Sequence, residues 1–443
     1  MRASARRRGL ALAALTALTL PLLPAGPAAA ATRVQGMEYW LDDYGVREAW
    51  GTTRGAGVTV AVIDTGVDAS HPDLAGAVVG GTDVSGIGGA DGRTPVGEDS
   101  GHGTMVASLL AGRGQPGGLG VIGVAPEASL LTISVGFGAG PRPVDTEVAE
   151  AVTWAVDNGA DVINLSLTRN TLDWPESWDE AFLHAAEHDV VVIAAAGNRA
   201  AGTEIVGAPA TMPGVLTVAG VDRRGVASLD ASSQGITIGV SAPSEQLVGA
   251  VPGGGYVTWQ GTSGATPLVS GVAALVRAAH PDLDAANVIE RIVATAEPVG
   301  AEVPGPLYGF GLLRAADAVG RAVPAVTANP MGDLAEWVRV HRRAAVDEPA
   351  DGADAGAAGP APLPSAVPRA GADPSGGVLL PSAAQLREVG IPLALLLGFG
   401  LAATGLVVFA VRELAGLRKA PKMVRVRREV PDPVEFEAPP RPE

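Results

Sequence analysis

Four side chains far apart along the chain are of the types that acyl transfer needs: Asp64, His102, Asn198 and Ser263. Ser263 lies in Gly261-Thr262-Ser263-Gly264-Ala265-Thr266-Pro267, and a helical apolar pattern (Val269, Val272, Ala273, Leu275, Val276) follows at once. That spacing places the hydroxyl near a helix N-terminus, where unpaired N–H groups and the positive end of the macrodipole favour developing negative charge. Such a serine is a candidate nucleophile, although alone it reads equally well as a helix cap. His102, between Gly101 and Gly103 and ahead of a second helical pattern, is the candidate base. Asp64, which ends an apolar run and precedes Thr65-Gly66, is the candidate carboxylate that fixes its tautomer. Asn198, after Ala195-Ala196-Gly197, can offer its side-chain amide to an oxyanion, with the Ser263 N–H as a second donor.

Each residue also has a purely structural reading: Asp64 as a turn cap, His102 as a helix-start residue, Asn198 as a left-handed turn residue. Coincidence is a poor account of all four in one chain. Their order, Asp, His, Asn, Ser, and the alanine at position 265 exclude the scaffold that carries its nucleophile in a G-x-S-x-G elbow. The six histidines are scattered and form no H-E-x-x-H, so a metal-dependent hydrolase is a poor reading.

The elements that must position these groups are legible as alternating patterns. Apolar runs at 58–63, 130–135, 162–167 and 190–196 have the character of buried strands, and helical periodicity recurs at 105–110, 146–157 and 178–187. This alternation predicts an α/β fold, a doubly wound parallel sheet with helices on both faces. Sites in such sheets form beyond the carboxyl ends of strands, which is where Asp64 and Asn198 stand.

The chain has 443 residues, 47% of them hydrophobic and 18% charged, with a formal net charge of −16. The acidic balance argues against a nucleic-acid surface. No cysteine is present, which excludes disulfides, thiolate catalysis and Cys-based zinc sites. Residues 1–31 combine an arginine-rich start, an apolar run at 10–23 and small residues at 28–31, the pattern of a secretory signal peptide. Residues 32–320 form the expected catalytic domain. An Ala/Pro/Gly-rich stretch at 321–388 reads as a disordered stalk in which 337–341 is the part able to dock back. Residues 389–411 carry no charge and are long enough for a transmembrane helix. The tail 412–443 opens with Arg412, Arg418, Lys419, Lys422 and Arg425, which places the C-terminus in the cytoplasm and the catalytic domain outside.

Asp64-Thr65-Gly66-Val67, His102-Gly103-Thr104 and Gly261-Thr262-Ser263 with Pro267 resemble the three active-site signatures of subtilisin-like serine proteases. The resemblance runs from about residue 40 to 318. It implies a subtilisin-like fold, a triad of Asp64, His102 and Ser263, and Asn198 as oxyanion donor. It further implies that Ser166, Leu167 and Thr168 pair with substrate backbone, and that Ala196 and Gly197 line the side-chain pocket. No cofactor and no metal is expected: the segment 112–118, where the family binds calcium, has no carboxylate. Position 264 is often methionine in the family and is glycine here, and position 168, often glycine, is threonine. Between the signal peptide and Trp40 there is no room for a folded inhibitory prodomain.

The layout of leader, protease, stalk, span and basic tail is similar to the mycosins, membrane-anchored subtilases associated with bacterial type VII secretion. It implies a single-pass protein of the bacterial plasma membrane that acts on protein or peptide substrates beside that machinery. Three readings follow: an endopeptidase for exported proteins, a scaffold of a secretion complex with proteolysis secondary, or a general envelope subtilase.

Overall fold

The computed structural model describes residues 34–115 and 119–342. The expected signal peptide, the stalk beyond residue 342, the span 389–411 and the tail lie outside the described residues. No helix among the described residues is long and apolar enough to cross a membrane.

Seven strands form one sheet: β1 (Thr59–Asp64), β2 (Val78–Asp83), β3 (Ser129–Ser134), β4 (Val162–Leu165), β5 (Val191–Ala195), β6 (Leu216–Val221) and β7 (Ile238–Pro243). Their spatial order is β2-β3-β1-β4-β5-β6-β7, and every pairing is parallel. The chain winds outward from β1 to β2, returns to β3, then crosses to β4 on the far side of β1. This reversal opens a crevice above the carboxyl end of β1, the usual ligand position in such sheets. The ends are level there, since Asp64 pairs with Ser134 and Ile63 with Leu165.

Alternate residues of each strand feed two cores, as a period of two requires. Val60, Val62, Val162, Val191 and Ile193 face one core with α1 (His102–Ala111), α4 (Thr262–Ala279) and α5 (Ala285–Ala294). Ala61, Ile63, Ile163, Leu165 and Val192 face the other with α2 (Val144–Asp157) and α3 (Glu176–Glu187). Each fully buried Val, Leu or Ile contributes roughly 1.5–3 kcal/mol, so two closed faces hold the strand ends rigidly. The expected doubly wound α/β architecture is what the described residues form.

The folded part extends beyond residue 320. Residues 334–341 form helix α6 (Leu334–His341), whose Leu334 is buried and whose Trp337 ring lies 4.4 Å from that of Trp174. Arg342 donates to Asp179 Oδ2 at 2.7 Å and to the Trp174 carbonyl at 2.9 Å, and Trp174 Nε1 donates to Asp179 Oδ1 at 2.6 Å. Averaged over 321–388, composition is poor in bulky residues. That average hides one amphipathic helix capped by Asp333, whose carboxylate accepts from the Glu336 N–H.

Candidate active site

Asp64 is the last residue of β1, with only 1% of its side chain exposed. Its Oδ1 accepts the Thr65 N–H at 2.7 Å and both oxygens face His102 Nδ1, at 2.8 and 3.0 Å. His102 opens α1, and its ring reaches Asp64 because the helix start lies almost on the strand end. A Cβ at Gly103 would fall 2.2 Å from the Gly66 carbonyl oxygen, so only glycine permits that approach. Thr65 Oγ1 accepts the Gly103 N–H at 3.0 Å and secures the junction.

Burial opposes the charged form of His102, but the Asp64 carboxylate, its hydrogen bond and the charge of Asp99 outweigh it and hold the imidazole above its usual value. Nδ1 is committed to Asp64, which leaves Nε2 as the ring nitrogen for proton transfer. The Trp259 ring meets the imidazole edge-on, with centroids 5.7 Å apart.

Ser263 is the second residue of α4 and is half-buried. Its Oγ donates to the Ser166 carbonyl at 3.1 Å and makes no hydrogen bond to His102 in this structure. Pro267 explains how the serine turn is held. Lacking an N–H, it leaves the Ser263 carbonyl without its i+4 helical donor. Ser166 Oγ donates to that oxygen instead, at 2.9 Å. Ser166 in turn accepts from Asn164 Nδ2 at 3.0 Å, and Asn164 Oδ1 accepts from Ser270 Oγ at 2.9 Å. This buried chain couples α4 to the end of β4. Asn164 and Ser270 were missed by the sequence reasoning, although an asparagine inside the apolar run 162–165 was a usable signal.

Asn198 follows β5. Its Oδ1 accepts the Thr262 N–H at 2.8 Å, which orients the amide so that Nδ2, beside α4, has no acceptor among the described residues. A Cβ at Gly261, whose φ is +141°, would lie 3.1 Å from that nitrogen. The Gly264 N–H is taken by the Gly261 carbonyl at 2.9 Å, so the Ser263 N–H is left as a first-turn donor.

Ser166, Leu167 and Thr168 line a cavity of about 550 Å³ together with His102, Thr65 and residues 136–139. Ala196 and Gly197 are not among the residues lining that cavity, and they adjoin the serine turn through Thr262. Ala196 is buried, while Gly197 gives its N–H to Thr262 Oγ1 at 3.1 Å and its carbonyl to the Ser233 N–H at 2.7 Å. Gly264 has a physical reason to be glycine. A Cβ there would lie 2.3 Å from Leu247 Cδ1 and 3.3 Å from the Trp259 ring, so Trp259 and Leu247 fill the space a larger residue would need. The segment 112–118, expected to hold no calcium, lies partly outside the described residues. Next to it, buried Asp73 accepts the Val121 N–H and the Gln115 amide, at 2.8 and 2.9 Å.

The sequence profile of the Subtilase family matches residues 55–311, more than half of the chain. The chain belongs to the subtilase family. It is 36% identical to subtilisin E of Bacillus subtilis (strain 168) over 261 residues, 58% of this chain and 65% of that protein, so it spans a little under two thirds of that relative. Among solved structures, this subtilase resembles MycP1 from Mycobacterium smegmatis (30% identity, TM-score 0.56, covering 65% of this chain and 85% of that one). It also resembles the MycP3 protease from the type VII (ESX-3) secretion system (34% identity, TM-score 0.55, covering 68% and 91%).

Proposed function

We propose that this subtilase is a serine endopeptidase that cleaves exported proteins at the outer face of the bacterial plasma membrane. The observation that carries this reading is the buried Asp64 carboxylate on His102 Nδ1, at a cavity that His102 shares with Ser166, whose carbonyl accepts from Ser263 Oγ at the start of α4. Ser263 Oγ swings from the Ser166 carbonyl to His102 when substrate enters; catalytic hydrogen bonds of this kind are often absent or misaligned in the resting state and form only in the complex. His102 Nε2 takes the proton as Oγ attacks a peptide carbonyl, and Asp64 stabilises the imidazolium. Asn198 Nδ2 and the Ser263 N–H receive the oxyanion. His102 then protonates the leaving amine, and water hydrolyses the acyl-enzyme by the reverse steps. Ser166, Leu167 and Thr168 pair with substrate backbone as an added strand.

The leader, the charge-free stretch 389–411 and the basic residues after it support a single-span anchor with the catalytic domain outside. Likeness to MycP1 and MycP3 supports a place beside type VII secretion machinery. Hydrolysis of a denatured exported protein by wild type and Ser263→Ala is the test. The variant is expected to lose about 10⁶-fold in kcat, the size seen when a subtilisin loses its nucleophile; near-native turnover removes Ser263 from the mechanism.

A further inference from the structure

Glu147, in the first turn of α2, is completely buried. Its Oε2 accepts the Gly136 N–H at 2.8 Å, while Oε1 has no hydrogen-bond partner among the described residues. Cβ atoms placed on Gly136 or Gly140 would lie 3.5 and 3.7 Å from Oε1, so the carboxyl group sits directly beneath the 136–140 turn. That turn is closed by the Ala139 N–H on the Gly136 carbonyl at 2.9 Å. Within it Phe137 takes a left-handed φ of +47°, which costs a non-glycine residue on the order of 1 kcal/mol and persists only where its surroundings impose it. Phe137 is 42% exposed and, with its neighbours, forms a wall of the cavity shared by His102 and Leu167.

A buried carboxyl group with a single hydrogen bond is costly, and nothing in the acyl-transfer chemistry uses it. The geometry points to Glu147 as a positioning residue for substrate: through the Gly136 N–H it holds the Phe137 rim in the shape that receives a peptide. This rests on the reading of that cavity as the substrate cleft.

The ionised carboxylate makes a charge-assisted, stronger bond to Gly136 than the neutral acid does. Burial raises Glu147 above the ordinary carboxylate range, against the Gly136 N–H and Arg142, which lower it; Asp83 and Glu150 raise it further. These are the charged groups around it: Arg142 from the segment before α2, Asp83 from β2 and Glu150 from α2 itself. KM for a peptide that reaches the rim therefore falls as pH rises through the Glu147 transition, whereas kcat follows His102.

Steady-state kinetics of the full chain from about pH 5 to 9 test this, with a peptide long enough to cross the rim and an ester too short to touch it. In Glu147→Gln the long-peptide KM is expected to be about three- to tenfold higher above the transition, the loss of one hydrogen bond's difference. It is also expected to be flat with pH, with the kcat profile and the ester KM unmoved. A wild-type KM profile, or an equal rise for the short ester, overturns the role. Should that variant not fold, Glu147→Asp decides: its carboxylate falls one methylene short of Gly136, so KM rises at every pH, and an unchanged KM overturns the role. Wild type inactive on both substrates removes the peptidase reading and this inference with it. An active wild type with insensitive variants removes Glu147 alone.

Discussion

Both carboxylate oxygens of Asp64 lie within 3.0 Å of His102 Nδ1, although the two residues stand 38 positions apart. The pairing commits one ring nitrogen and leaves the other for proton transfer. It gives Asp64→Asn a definite outcome: kcat should fall about 10⁴-fold, because the amide stabilises the wrong tautomer, while KM for peptides changes little. Steady-state kinetics of the variant check both halves.

The same contact sets a pH dependence. In the proposed mechanism His102 acts as a neutral base, and Asp64 holds its imidazole above the ordinary value of 6.5 against the effect of burial, so kcat/KM should rise with pH and inflect above 6.5. For stability the sign is opposite. A raised folded-state value means that the stabilisation is complete below the unfolded value and fades as pH rises through the folded one. The melting-temperature gap between wild type and Asp64→Asn should therefore narrow from pH 5.5 to 8.5, conditions chosen to bracket histidine titration; a gap that widens contradicts the assignment.

Asn198 accepts the Thr262 N–H, and in the proposed mechanism it also offers Nδ2 to the oxyanion. Asn198→Asp retains the acceptor and loses the donor. Its melting temperature should stay near wild type while kcat falls about 10²- to 10³-fold, the usual size for one oxyanion donor. Equal losses in both would place Asn198 in the helix start alone.

Gly264 abuts Leu247 and Trp259. Gly264→Ala should destabilise by about 1–3 kcal/mol through overpacking, measured by chemical denaturation. With no methionine beside the nucleophile, oxidation at position 264 is not available as a route to inactivation by peroxide. Peptide mapping that ties lost turnover to modification next to Ser263 contradicts this.

Arg342 clasps Asp179 and the Trp174 carbonyl. Arg342→Ala should lower stability by about 1–3 kcal/mol, the range for hydrogen bonds to charged groups. A melt unchanged from wild type would mean that α6 is not held by that clasp.

What the sequence made legible follows from where the physics is local. Asp64 was readable because a β-branched run ends on it, and Ser263 because small residues meet a helical period there. The strands β2, β6 and β7 were not singled out, since glycine, serine and a terminal proline dilute their apolar runs. Asn164, Ser270, Trp259 and Glu147 were also missed. Their roles arise from tertiary contacts, such as Ser270 to Asn164 across 106 positions, that no periodicity announces. The segment 337–341 was legible as able to dock back, but what it docks on was not, for a related reason. Trp337 and Arg342 gain their meaning only against Trp174 and Asp179.

The most direct test of the central claim is mass spectrometry of the protein after treatment with a fluorophosphonate probe. A single adduct on Ser263 in wild type, lost in His102→Ala, is the predicted result. An adduct on another residue, or one undiminished when His102 is replaced, would contradict the convergence of Asp64, His102 and Ser263 on one reacting hydroxyl.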